Sequence, residues 1–434
     1  MNKKILNLAI PSIISNISIP LIGMVDLALV GHLESIQYIG AIALGSMIFN
    51  FIYWGFGFLR MGTTGITAQA YGARNLKDAS LTLARSFLIG IAGGFFVLLL
   101  QKPIGLLSFS LLNGSEEVEL LAKQYFYIRI WAAPATLGLY SLTGWFIGMQ
   151  NTRFPMIITI SVNLLNVVFS LFFVLRFDMK SEGVALGTVL AQYSGFIIGI
   201  VLYFNYYKKL NKYFNFSELI DHKAIKNFFN VNKDIFIRTL FLIFVFTFFT
   251  AESANIGDDI LAINTLLLQY FMFFSYLIDG FAYAAEALTG KYIGSQSSKN
   301  LKLIIRQLFF WGAITSIPFS LTYLAGGKAI LSLLTNNQEL IQLSSEYMFW
   351  IALIPIITFP AFLLDGIFIG ATASKGMRNT MIISTSIFYL PVYYILKPYL
   401  ENHALWLALM TFMISRSLLM FLRIKKDIYS QITG

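Results

Sequence analysis

Long apolar runs separated by short polar segments occupy most of this chain. A membrane-spanning helix needs about 20 apolar residues, because the hydrocarbon core of a bilayer is about 30 Å thick. Twelve runs reach that length, and each predicts one transmembrane helix. Their approximate limits are 6–30, 39–70, 80–101, 121–148, 154–176, 183–207, 234–253, 260–290, 302–324, 343–371, 379–400 and 403–424. The pattern therefore predicts an all-α polytopic membrane protein.

A polar, lysine-rich segment interrupts the apolar runs near the middle of the chain, from Lys208 to Lys233. It leaves six predicted helices on each side. We therefore predict an N-lobe at 1–210, a cytoplasmic linker at 211–232 and a C-lobe at 233–434.

The two halves resemble each other at a constant offset of 222 residues. The residues Leu142, Gly144, Phe146, Ile147 and Gly148 recur as Leu364, Gly366, Phe368, Ile369 and Gly370. Several matches at one offset, with equal helix counts, indicate duplication. Two six-helix repeats of equal orientation predict a pseudo-twofold axis along the membrane normal, with a central cavity between the lobes.

Charge and composition agree with a membrane protein. Only 12% of residues are charged, whereas soluble domains carry about 25%. The net charge of +10 comes from basic residues in alternate loops, which is the positive-inside pattern and not a nucleic-acid surface. It predicts that both termini are cytoplasmic. The chain has no cysteine, so thiolate metal sites are excluded.

The first apolar run contains a single carboxylate, Asp26, and two prolines, Pro11 and Pro20. A charge near the bilayer centre costs about 2.5–3.5 kcal/mol, so such an acid usually faces a cavity and exchanges a proton or cation. Proline removes a backbone donor and favours a bend. The alternative is that Asp26 lies near the outer end of its helix, in contact with water.

Helices five and six contain polar residues at helical spacing. Asn163, Asn166 and Ser170 share one face of helix five, and Thr188 and Gln192 lie one turn apart on helix six. Their oxygens could form a cation site or a proton relay beside a carboxylate. The alternative is interhelical hydrogen bonding, worth about 0.6 kcal/mol for each bond.

The second half has its own ionisable residues inside apolar runs. Asp279 and Glu286 lie seven residues apart on helix eight, Asp365 lies in helix ten and Arg238 in helix seven. They could pair with one another or take part in ion coupling. Glu252, near the outer end of helix seven, is expected to be solvated.

Sequence motifs for enzymatic chemistry are missing. No G-x-x-x-x-G-K-[ST] loop, G-x-S-x-G elbow or H-E-x-x-H motif occurs. We therefore expect no enzyme activity and no cofactor.

Several strings resemble the multidrug and toxic compound extrusion (MATE) family, and within it the DinF-like branch. They are P-L-I-G-M-V-D-L-A-L-V-G-H-L (20–33), N-F-I-Y-W-G-F-G-F-L-R-M-G-T-T-G (50–65), D-I-F-I-R-T (234–239), D-G-F-A-Y-A-A-E-A-L (279–288) and L-D-G-I-F-I-G-A-T (364–372). The resemblance implies a monomer in the plasma (inner) membrane. Its two six-helix lobes would export small organic compounds, often cationic, in exchange for protons or sodium.

The resemblance also implies roles for single residues. Asp26 matches the family's helix-one aspartate, and Pro11 the proline at its bend. Asn166 and Thr188 match the N-lobe polar network, which binds sodium in some relatives. The family pattern N-x-x-x-D here ends in Ser170. A site with one carboxylate holds sodium weakly, which favours proton coupling through Asp26.

In the C-lobe, Asp365 matches an aspartate used for cation binding in another branch. That branch's helix-seven glutamate has no counterpart here, so a complete C-lobe sodium site is not expected. The resemblance therefore implies a proton-coupled drug antiporter. The alternatives are sodium-coupled antiport, with weak sodium binding near Asp26, or a lipid or lipid-linked oligosaccharide flippase of the same fold superfamily.

Overall fold

A computed structural model describes residues 1–31, 37–111 and 115–433, with side chains left out at 21–31, 216–217 and 433. Within these ranges the chain is helical and contains no β-strand, which confirms the all-α prediction. Ten of the described helical segments are long and apolar enough to cross a membrane. The other two predicted membrane helices correspond to Asn2–Gly31 and to the helical segment 116–148.

Eleven α-helices cover the chain as far as residue 256. They are α1 Asn2–Gly31, α2 Gln37–Gly55, α3 Gly57–Gly72, α4 Leu76–Leu99, α5 Gln101–Leu111, α6 Glu116–Arg129, α7 Ala133–Gly148, α8 Arg153–Phe177, α9 Ser181–Tyr207, α10 Phe216–Leu219 and α11 His222–Ile256. Short 3₁₀ turns at Ile130–Ala132 and Lys208–Tyr213 join α6 to α7 and extend α9.

Eight further helices complete the described chain. They are α12 Asp258–Gly294, α13 Ser298–Leu334, α14 Gln338–Ser344, α15 Met348–Gly370, α16 Ser374–Ile383, α17 Leu390–Leu400, α18 Asn402–Ile424 and α19 Ser430–Thr433. A 3₁₀ turn at Ser345–Tyr347 and π-helical turns at Ser384–Tyr389 and Lys425–Tyr429 connect some of them.

The helices form two compact units. The first unit contains Ile14–Phe228, and the second unit contains Met1–Ile13 together with Phe229–Gly434. The predicted N-lobe began at residue 1, whereas the structure groups the first thirteen residues with the second half. The reason is close packing on α12, since a Cβ added at Gly280 would lie 2.3 Å from Cγ1 of Ile13.

The predicted linker, 211–232, is largely helical and packs on the first unit. Arg85 donates hydrogen bonds to the carbonyl oxygens of Glu218 and Leu219, at 2.6 and 3.1 Å. Lys77 forms an ion pair with Glu218 at 2.7 Å. Helix α11 begins at His222, twelve residues before the predicted start at 234.

Helix packing in the two units repeats at the offset read from the sequence. A Cβ added at Gly144 would lie 2.4 Å from the carbonyl oxygen of Arg60. A Cβ added at Gly366 would lie 2.3 Å from the carbonyl oxygen of Ala282. Gly144 and Gly366 are 222 residues apart, and so are Arg60 and Ala282. The same backbone-on-backbone contact therefore occurs in both units and confirms the duplication.

The turns that end the equivalent helices repeat as well. Arg74 and Gln296 have φ of 57° and 52°, and Gln150 and Thr372 have φ of 66° and 51°. In each turn, the residue with positive φ donates its N–H to the carbonyl three residues earlier. This left-handed residue after the last turn is a common helix C-cap.

A Gly366→Ala variant should lose about 1–3 kcal/mol of stability, because overpacking a close helix contact displaces the backbone. Gly326→Ala is the matched control, since a Cβ there would meet no atom within 4 Å and alanine favours the helix. The free energy of unfolding of the purified protein in detergent measures both. Equal stability of the two variants would contradict the close contact.

Candidate functional site

The first unit contains a hydrogen bond between two of the predicted site residues. Asn166 of α8 donates its amide N–H to Oγ1 of Thr188 of α9, at 2.9 Å. The Thr188 hydroxyl in turn donates to the carbonyl oxygen of Val184, also at 2.9 Å. The hydrogen bond from Asn166 to Thr188 therefore joins α8 to α9, which are the predicted helices five and six.

Two buried oxygens on the same helix face remain available. Oδ1 of Asn166 and Oγ of Ser170 have no hydrogen-bond partner among the described residues. A Cβ added at Gly187 would lie 2.6 Å from Oγ of Ser170, so α9 packs closely against α8 at this point. Buried oxygens normally have a donor or cation as partner, so this pair is suited to accept a proton-bearing group or to contact a cation.

The other predicted residues of this unit lie nearby in sequence but make different contacts. Asn163 donates to Oγ of Ser18 at 2.7 Å, which ties α8 to α1. Gln192 is half-buried, one turn beyond Thr188. Asn163 therefore lies on the part of the polar face that contacts α1.

Helix α1 runs continuously from Asn2 to Gly31 and includes Pro11, Pro20 and Asp26. The side chain of Asp26 lies outside the described residues. The sodium site expected around Asp26, Asn166 and Thr188 is therefore described only in its Asn166–Thr188 part. The bend expected at the prolines stays a prediction.

The second unit contains a buried ionic cluster. Arg238 of α11 and Arg416 of α18 both form an ion pair with Oδ2 of Asp365 on α15. All three residues are buried, with Arg416 2% exposed. One carboxylate oxygen thus holds three helices of this unit together.

Some polar atoms of this ionic cluster form no hydrogen bond with the described residues. Oδ1 of Asp365 and Nε of both arginines have no hydrogen-bond partner among the described residues. The negative charge of Asp279 acts on Arg416 as well. Glu286 is buried on α12, and like Asp279 it interacts with other groups.

Arg416 was missed by the sequence analysis, although its surroundings carry a signal. It is the only charged residue between 405 and 420, a run of mostly apolar residues. An ionisable residue inside a transmembrane helix is a functional or pairing candidate by default.

The expectation for Glu252 was wrong. Its side chain is only 14% exposed and forms an ion pair with Lys397 at 2.8 Å. The hydroxyl of Tyr393 also donates to it, at 2.5 Å. These partners stand one turn apart on α17, a helix that the sequence did not connect with Glu252.

Acidic residues, histidines and cysteines do not gather into a metal site in the part of the chain that the structure describes. Ligand sets for metal ions normally combine several such side chains at one point.

Comparison with known proteins gives a consistent picture. The MatE family model matches residues 11–172 and 235–395, one stretch in each half. DNA damage-inducible protein F of Escherichia coli is 38% identical over 421 residues, which cover 96% of this chain and 90% of that protein. The probable multidrug resistance protein NorM of Thermotoga maritima is 24% identical, over 97% of this chain and 92% of that protein.

Solved structures show the same fold. An outward-facing multidrug resistance MATE family transporter of the MOP superfamily superposes with a TM-score of 0.90 and 18% identity. The superposition covers 99% of this chain and 96% of that one.

Proposed function

Since this chain belongs to the MatE family of membrane transporters, as its motifs predicted, we propose that it is a secondary antiporter exporting organic compounds in exchange for protons. The observation that carries this proposal is similarity along nearly the whole chain to a protein named for multidrug resistance. Two helical repeats with acids inside apolar helices support it. The substrates would be small organic molecules, and the protein would act as a monomer with both termini in the cytoplasm.

Proton coupling is supported by the chemistry of the first unit. Helix α8 offers a serine, Ser170, where a second carboxylate would strengthen sodium binding. The contact at Gly187 leaves little room beside that hydroxyl. A single carboxylate, Asp26, without a second acid at the Ser170 position is better suited to a proton than to a strongly held sodium ion.

The coupling needs only competition for Asp26. With Asp26 ionised, a cationic substrate is attracted from the cytoplasmic side. A proton arriving from the outer side neutralises Asp26 and weakens that attraction, so the substrate leaves. A ligand shifts a conformational equilibrium only by its differential affinity for the two states, and here proton and substrate favour different states.

Transport into inverted vesicles tests the proposal. A fluorescent organic cation would be supplied with an imposed proton gradient or an imposed sodium gradient, one at a time. We expect accumulation with the proton gradient alone. Accumulation with the sodium gradient alone would replace proton coupling by sodium coupling. The absence of transport with either gradient would contradict drug antiport and favour a lipid flippase.

A Ser170→Asp variant should gain sodium-driven export, because it adds a second carboxylate one turn from Asn166. Ser170→Asn is the matched control, since it is as large as aspartate and meets the same close contact at Gly187 but carries no charge. Export under an imposed sodium gradient measures the difference. An unchanged sodium response in Ser170→Asp would remove support for a cation site at this face.

A further inference from the structure

Arg129 is a half-buried arginine of the first unit. It ends α6, which begins at Glu116, and lies about 20 Å along the helix from that end at 1.5 Å per residue. The predicted membrane helix 121–148 contains Arg129, so Arg129 is expected within the apolar layer. An ionisable residue at such a depth normally has a partner or a function.

The contacts of Arg129 are with hydroxyls and aromatic rings. Its Nη1 donates to Oγ of Ser46 at 2.9 Å and to the hydroxyl of Tyr125 at 2.6 Å. The guanidinium carbon lies 4.9 Å from the ring centre of Phe49 and 5.5 Å from that of Tyr125. No carboxylate among the described residues forms an ion pair with Arg129, and its Nε and Nη2 donate to none of them.

Two more hydroxyls border this group. The hydroxyls of Tyr53 and Thr136 are neighbours, and neither forms a hydrogen bond of normal geometry with a described residue. The charge of Arg129 acts on Tyr53, whose ring stacks on Phe49 with centroids 5.8 Å apart. We call Ser46, Phe49, Tyr53, Tyr125 and Arg129 the Arg129 cluster.

The cluster is held firmly by the packing around it. The ring of Tyr125 lies so close to α2 that a Cβ added at Gly45 would be 2.4 Å from its Cδ1. Phe126, next to Tyr125, stacks on Phe49 at 5.3 Å. Arg129 itself is half-buried, and its guanidinium lies against the rings of Phe49 and Tyr125.

The repeat shows that the fold does not need this charge. At the offset of 222 residues, Arg129 corresponds to Ile351, which is 0% exposed. Tyr53 corresponds in the same way to Ser275. The equivalent position of the second unit thus holds an aliphatic residue, so the repeat by itself does not require an arginine here.

We propose that the Arg129 cluster binds the carboxylate of an aromatic organic anion. The free N–H groups of a guanidinium match the two oxygens of a carboxylate. An aromatic ring of the ligand contacts the half-buried ring of Tyr53, since Phe49 is fully buried behind it. One positive charge with no carboxylate partner among the described residues calls for a monoanion, since a dianion would leave an excess negative charge. This inference adds a substrate class to the proposed exporter and rests on it only in that respect.

Equilibrium dialysis of the purified protein in detergent tests binding without any gradient. The probes are radiolabelled 1-naphthoate and its cationic counterpart 1-naphthylmethylammonium, which share one ring system. The variants are Arg129→Met and Arg129→Lys. Arg176→Met is the matched control, because Arg176 is an exposed arginine in the last turn of α8.

We expect Arg129→Met to weaken naphthoate binding about tenfold to hundredfold, the loss typical of one charge-assisted hydrogen bond. Binding of the cation should not weaken. Arg129→Lys should give an intermediate loss of naphthoate affinity, since lysine keeps the positive charge but not the two parallel N–H donors of the guanidinium. Arg176→Met should bind both probes like the wild type.

Three results would overturn the proposal: no naphthoate binding by the wild type, wild-type affinity in Arg129→Met, or an equal loss for both probes. If Arg129→Met does not fold, Tyr53→Phe replaces it. That variant removes one unpaired hydroxyl and should weaken naphthoate binding several-fold while leaving the cation unaffected. Because dialysis involves no transport, failed export in the vesicle experiment would not affect this result.

Discussion

Proton-driven export should fall to the level of protein-free vesicles in an Asp26→Asn variant. Asparagine has almost the same shape as aspartate but does not titrate, so proton and substrate no longer compete for one group. The measurement is accumulation of the fluorescent cation in inverted vesicles under an imposed proton gradient. Passive equilibration of the substrate by the variant would agree with this mechanism, because only the coupling is lost.

Asp178→Asn is the control for this result. Asp178 is 89% exposed at the side chain and has a left-handed φ of 52°, which asparagine tolerates well. The control should export like the wild type. If Asp26→Asn accumulates substrate against a gradient as well as the control does, coupling through Asp26 is wrong.

An Asp365→Ala variant should lose about 3–5 kcal/mol of stability, the cost of leaving buried charges without their partner. The loss falls at the upper end of that range because both Arg238 and Arg416 depend on the same oxygen. Denaturant unfolding of the purified protein in detergent measures it.

Two comparisons separate charge burial from a general effect of the substitution. Asp259→Ala removes an exposed acid at the start of α12 and should cost under about 1 kcal/mol. Replacing Arg238, Asp365 and Arg416 together by Met, Leu and Met should restore much of the stability, since apolar side chains can replace a buried ionic group. A stability of Asp365→Ala equal to that of Asp259→Ala would disprove the ionic cluster.

The membrane helices could be predicted from the sequence because each spans a bilayer and therefore needs a long apolar run. The predicted helix 154–176 agrees with Arg153–Phe177, and 183–207 with Ser181–Tyr207. Where helices continue beyond the apolar layer, hydropathy underestimates them. The predicted helix 302–324 extends to Ser298–Leu334, through the glycines and lysine of A-G-G-K at 325–328.

Local spacing also predicted which polar residues share a helix face, but not their partners on distant helices. The bond from Asn166 to Thr188 joins residues only 22 positions apart on consecutive helices. Asp365 is 127 residues from Arg238 and 51 from Arg416. Such pairs depend on how the helices are arranged in three dimensions. The periodicity of residues within one helix carries no information about that arrangement.

Because Met1–Ile13 packs with the second half of the chain, its native contacts form only late in synthesis. Lys4 of α1 contacts Tyr292 of α12, 288 residues later. At about 5–20 residues per second, the ribosome needs about 15 to 60 seconds to produce that partner. The segment 1–13 is thus synthesised long before its native neighbours in the second half. During that interval its polar residues depend on lipid, water or the insertion machinery, and a pause in translation would lengthen their exposure.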